Sequence, residues 1–340
     1  MMRLSAVAGL FAALTLVMAA PWAWHPAGRV LVDNPDTHLY MWTLAWDAHA
    51  FVTNPLAIFD ANIFHPDRNT LAYSENLIGS AVLAGPVIWS TGDLTLAVNL
   101  VALVSSVLCG VGAYFLARTL GLSAGAGVVA GLIFLFAPTR FFRMSQLHLV
   151  AVQWVPFGLA FLHRYFERGR ARDARLAIAF LVAQVLTSGH GAVFLAISMA
   201  LLTLYYLATG MRPNIRGRVR DMGITGILLL VPAALVWLPY RRAQAEAGLR
   251  RSLENWIVSP ESFIASPSHV HQWVLGWITD ARVNDMASAY LFPGYLPIAL
   301  AGLAVVPLAA SRERDNRVWF YAGLVLVSLL LFAPPPIGIW

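Results

Sequence analysis

The chain has 340 residues, 59% of them hydrophobic and 12% charged, with a mean hydropathy of +0.67. Soluble domains carry about 25% charged residues, so this balance excludes a water-soluble fold. The net charge of +6 is what positively charged inner loops of a membrane protein produce, and it implies no nucleic-acid partner.

Apolar runs of the length needed to cross a bilayer recur along the whole chain. The first segment, MMRLSAVAGLFAALTLVMAAPWAW, has the layout of a signal peptide but reads better as a retained span, and either reading puts the next segment outside the cytoplasm. Spans are expected near Leu4 to Ala20, Leu94 to Ala117, Ser123 to Ala137, Leu149 to Leu162 and Leu176 to Thr187. Others are expected near Ala192 to Ala208, Ile224 to Leu238, Leu291 to Ala309 and Val318 to Phe332. The segment Leu77 to Trp89 is apolar but short and contains Pro86, which suits an interfacial or re-entrant helix. The expected fold is an all-α polytopic bundle of about nine spans, a single membrane domain over residues 1–340. The lone cysteine, Cys109, falls inside an apolar run and is read as packing. Nothing repeats at a fixed period.

All 23 basic residues are Arg, and their distribution sets the orientation. With the N-terminus inside, the stretches HRYFERGRARDAR, MRPNIRGRVR and SRERDNR fall on the cytoplasmic side, while most acidic residues fall outside. Two outer segments are long, 25–93 and 240–290. The inner loops are short and lack a Gly-rich phosphate motif, which disfavours nucleotide-driven transport. The chain ends just after APPP, and this abrupt stop reads as a C-terminally truncated product.

In the first outer segment, VDNPDTHLYMWTLAWDAHAF carries Asp33, Asp36, His38, Asp47 and His49. Its apolar residues recur at helical spacing from Thr37 to Phe51, which predicts an amphipathic helix on the membrane surface. Asp36 stands where either it or Thr37 caps that helix; alternatively its carboxylate is a general base at the membrane boundary. Glu75 directly precedes the next apolar helix and either favours that helix's N-terminus or faces the same pocket. Asp33, Asp36 and His38 have side chains that suit a divalent metal, a reading the sequence permits and does not require.

The stretch from Asp33 to about His190 resembles bacterial members of the GT-C superfamily of membrane glycosyltransferases. The motifs that carry the resemblance are DNPDTHLYMWTLAWDAH, IFDANIFHP, TLAYSEN and FAPTRFFRMSQLHLVAVQWVPF. It implies a helical core with surface helices in the first outer loop, a polyprenyl-phosphate-linked sugar as donor, and inverting transfer to a glycan, lipid or protein acceptor outside the inner membrane. By position, the resemblance implies that Asp36, or else Asp33, is the catalytic base. The chain has no DxD, which leaves metal dependence open.

Other outer residues suit the same chemistry. Arg140 and Arg143 stand three apart, the spacing of one helix face, and offer a phosphate clamp or else anchor at the lipid headgroups. His148 is a sugar or phosphate ligand or an interfacial anchor. His190 lies between glycines, which a tight turn explains. Arg250 is paired by spacing with Glu246 and Glu254, and in the resemblance serves the carrier phosphate. The competing classes are a lipid or glycan transporter, which calls for ionisable residues deep in spans where few are found, and a non-catalytic membrane partner.

Overall fold

The structure is a computed structural model describing residues 3–20, 22–31, 33–144, 146–209, 214–247, 260–266, 268, 270–271, 273, 290–310 and 316–332. Among them the chain is all-helical, with no strand. It divides into two compact units. One comprises residues 1–135 with 143–250, the other 136–142 with 251–340.

The first unit contains α1 (Leu4–Met18), α2 (Pro35–Thr53), α3 (Ile78–Thr91), α4 (Leu94–Thr119) and α5 (Ala124–Leu135). The second opens with the single turn α6 (Pro138–Phe141). The first unit then resumes with α7 (Leu147–Val150), α8 (Trp154–Arg168), α9 (Ala171–Thr187), α10 (Gly189–Thr209), α11 (Ile215–Leu235) and α12 (Leu238–Ala247). The second unit closes with α13 (Tyr295–Ala310) and α14 (Asn316–Phe332).

Helices form wherever spans were expected, but nine spans are not supported. Among the described residues only α4 and α10, of 26 and 21 residues, are long and apolar enough to cross a membrane. A third span exists if Arg216–Val231 and Ala233–Glu246, bent by 42°, count as one. The others fail on length or on charge. A helix such as α1, of 15 residues, spans about 22 Å at about 1.5 Å per residue, short of a hydrocarbon core of about 30 Å. The expected short helix around Pro86 is α3, of 14 residues.

The core of the first unit forms around α4, which packs against α1, α5 and α8, while α9 packs against α8, α10 and α11. Small residues bring the backbones together. A Cβ on Gly131 of α5 would lie 2.3 Å from the Phe11 ring of α1 and 2.8 Å from the Gly110 carbonyl of α4, the close approach that glycine permits between apolar helices. The Arg-rich end is tied by charge: Arg164 pairs with Asp173 at 3.3 Å, and the Tyr165 hydroxyl donates to Asp221 at 2.9 Å.

The predicted surface helix is α2, which packs against α3 and α4. Its cap is neither Asp36 nor Thr37. Asn34 takes that role, accepting the Thr37 N–H at 2.9 Å, with Pro35 pre-set for the first turn. Trp42 and Trp46 pack with the residue 58–71 loop, and the Trp46 indole donates to the Ile58 carbonyl at 2.7 Å. In the second unit, Leu291 N–H donates to the Ser262 carbonyl at 2.7 Å, and the His271, Phe292 and Tyr295 rings pack edge to face.

Candidate functional site

Five separated pieces of the first unit converge on one polar cluster: the start of α2, the Glu75–Asn76 turn ahead of α3, α7, the junction of α9 with α10, and Tyr240 of α12. The packing that brings them together is specific. α3 lies so close to α9 that a Cβ on Gly79 would fall 2.3 Å from Thr187 Oγ1. α7 contacts α10, and α12 contacts the turn Thr70–Tyr73.

Because Asn34 caps α2, the Asp36 carboxylate is not occupied by its own helix. Its Oδ2 accepts a hydrogen bond from Gln146 Nε2 at 2.7 Å. One helical turn along, the Tyr40 hydroxyl is hydrogen-bonded to His148 Nδ1, with the ring centroids 4.9 Å apart. The His148 ring meets His190 edge to face at 5.6 Å. His190 Nδ1–H donates to Glu75 Oε1 at 2.9 Å, and the Gly189 N–H donates to Glu75 Oε2 at 3.0 Å. Tyr40, His148, His190 and Glu75 thus form a continuous row, with Asp36 one helical turn before Tyr40 on α2.

The chain around Glu75 is built for this contact. Leu77, buried, adopts φ 51°, a left-handed conformation costly for a leucine. Asn76 Oδ1 accepts the Ile78 N–H at 3.0 Å, while its amide donates to the Tyr240 hydroxyl at 2.9 Å. At the facing junction, Ser188 Oγ caps α10 by accepting the Gly191 N–H at 3.1 Å. A Cβ on Gly189 would press to 3.2 Å and 3.3 Å from the two Glu75 oxygens, a tight approach of the carboxylate to the backbone. Burial pushes the Glu75 carboxyl upward, but the hydrogen bonds from His190 and Gly189, with the nearby His190 and His148 charges, outweigh it and hold it below its ordinary value.

Below this row lies a second carboxyl. Asp47 stands eleven residues after Asp36, on the same face of α2 as Asp36 and Tyr40, about 16 Å further along at about 1.5 Å per residue. It is fully buried, and neither oxygen accepts a hydrogen bond from the described residues. Burial raises its carboxyl well above the ordinary range. Tyr240 is within electrostatic reach of both Asp47 and Glu75.

Of the residues singled out in the sequence, the structure brings together Asp36, Glu75 and His148. Asp33 lies apart from the row, exposed, and its carboxylate pairs with His38 at 2.8 Å. Arg140 is buried in α6 of the second unit; that turn ends at Phe141, and Arg143 lies beyond its C-cap, in the first unit. Arg250 lies outside the described residues. No group of three or more metal-ligating side chains occurs among the described residues. Sequence reasoning missed Tyr40, Gln146, Asn76 and Tyr240, and it explained His190 by its glycines alone. One signal was available: Asp36, Tyr40 and Asp47 follow helical spacing, which puts all three on one face of α2.

No family model matches this chain, and neither a curated protein nor a solved structure matches it significantly.

Proposed function

We propose that this chain is a GT-C-type membrane glycosyltransferase of a bacterial inner membrane, N-terminus inside, which moves a sugar from a polyprenyl-phosphate donor to an acceptor hydroxyl at the outer face. Asp36 removes the acceptor proton. The acceptor oxygen bonds to the anomeric carbon, the bond from that carbon to the carrier phosphate breaks with its electron pair leaving on phosphate, and the configuration inverts.

The observation that carries this reading is the environment of Asp36. A first-turn aspartate whose capping role is taken by Asn34 holds its carboxylate toward Gln146 instead, beside ionisable side chains from three other segments. Gln146 fixes the orientation of one oxygen and leaves the other for an acceptor. On the orientation expected from the Arg distribution, with the N-terminus inside, the cluster's residues fall on the outer side, where a lipid-linked donor and its acceptor meet.

The test is sugar transfer by the purified protein from a panel of polyprenyl-phosphate sugars, beside Asp36→Asn. General bases contribute about 10²–10⁴-fold, so the variant is expected to lose rate in that range. Undiminished transfer by Asp36→Asn removes Asp36 as the base, and no transfer by the unaltered protein from any donor removes the transferase reading.

A further inference from the structure

The imidazole of His190 is tied at one nitrogen only. Its Nδ1–H is committed to Glu75, its side chain is 54% exposed, and Nε2 has no hydrogen-bond partner among the described residues. A carboxylate on Nδ1 fixes the ring's orientation and makes Nε2 the working nitrogen. Glu75 is itself anchored by the Gly189 N–H and is 17% exposed, so it does not swing with its partner. The other titratable side chains of the cluster are His148, Tyr40 and Asp36, with Tyr240 behind Glu75. Asp36 and His190 occupy separate positions in the cluster, with the Tyr40–His148 pair between them. In an inverting transfer base and leaving group act on opposite faces of the sugar, so the two roles fall to different residues.

We propose that His190, positioned by Glu75, is the general acid of the site, donating Nε2–H to the phosphate oxygen on which the carrier departs. This rests on the transferase reading. As the bond from the anomeric carbon to oxygen breaks, its electron pair goes to the phosphate oxygen, which takes up the His190 proton. The acceptor's proton goes to Asp36, so the step is balanced, and exchange with water restores both groups. Glu75 touches no reacting atom and is a positioning residue.

The first measurement needs no catalysis: binding of farnesyl phosphate to the full chain in lipid nanodiscs. His190→Gln is expected to weaken binding about ten-fold or more, the scale of a charge-assisted hydrogen bond. Glu75→Gln, close in shape, is expected to weaken binding as well, because the ring loses the partner that orients it. Thermal unfolding of both variants separates these effects from a failure to fold, and His190→Asn serves if His190→Gln is unstable. Equal binding by the folded His190 variant and the unaltered chain overturns the proposal, as does absence of binding. The second measurement is transfer. Loss of kcat in His190→Gln at saturating donor supports the acid role, and full transfer by that variant overturns it while leaving Asp36 as base. His190-dependent binding without transfer from any donor refutes the transferase reading, and with it the acid role, and leaves a phosphate site at His190.

Discussion

Replacing Gly79 by alanine tests whether the helix contact that carries Glu75 to its partners is as close as the structure has it. The new Cβ would stand 2.3 Å from Thr187 Oγ1 and 3.1 Å from both the Leu186 carbonyl carbon and Thr187 Cα. Carbon atoms prefer about 3.5–4.0 Å, so relief requires α3 to withdraw from α9 by the better part of about 1 Å. Turning the Thr187 side chain aside is not sufficient. It sacrifices the hydrogen bond from the Trp154 indole, 3.2 Å, and the backbone atoms remain crowded. Overpacking of this kind costs about 1–3 kcal/mol, against about 0.8–1 kcal/mol regained from the helix preference of alanine over glycine, and the net expectation is a loss of up to about 2 kcal/mol. Glu75 lies four residues upstream, and a shift of about 1 Å stretches its 2.9 Å and 3.0 Å hydrogen bonds past the useful limit of about 3.2 Å. The assay is thermal unfolding of the purified protein in detergent, beside Gly223→Ala in α11, where a Cβ would meet nothing within 4 Å. The Gly79 variant is expected to unfold at a lower temperature and the Gly223 variant at an unchanged or higher one. Equal behaviour of the two would refute the close packing of α3 on α9.

Two further expectations concern pH. The Asp47 carboxyl is raised by burial, so the folded state holds its proton where the unfolded chain releases it, and stability falls as pH rises from about 3.9 toward the raised value. Asp47→Asn is expected to flatten that fall and to be more stable than the unaltered chain at neutral pH and above; denaturation curves from pH 5 to 9 that run parallel for the two proteins would count against it. Glu75 works in the opposite sense. Its lowered carboxyl contributes stability above about pH 4.3 that is lost as pH falls through the folded value, so Glu75→Gln should destabilise the protein by about 1–3 kcal/mol at neutral pH and converge with the unaltered chain in acid. A difference that persists undiminished at pH 3 would exclude the carboxylate as its source.

Composition and hydropathy were enough to identify an all-helical chain with helices apolar enough to cross a membrane. They also placed helices in the right stretches, including the one around Pro86. Span number was overestimated for a physical reason: hydropathy registers an apolar stretch without showing where its backbone bends. Ser123 to Ala137 reads as a span, yet its helix ends at Leu135 after 12 residues.

Asp36, Glu75 and His148 were legible as candidates because ionisable side chains beside apolar helices are few and costly to place. Which of them act together was not legible. The partner of Glu75 is His190, 115 residues away, and that of Asp36 is Gln146, 110 residues away, and no local spacing carries such a pairing. Even the cap of α2 depended on geometry, since Asn34, Asp36 and Thr37 all have capping side chains and only the backbone's turn into the helix at Pro35 selects Asn34. Sequence alone determined that this chain is helical, apolar and bears acids next to its membrane helices, since those are properties of residues and their near neighbours. The gathering of Asp36, Tyr40, His148, His190 and Glu75 at one place was decided only by tertiary packing, in which the glycine at 79 lets α3 lie against α9.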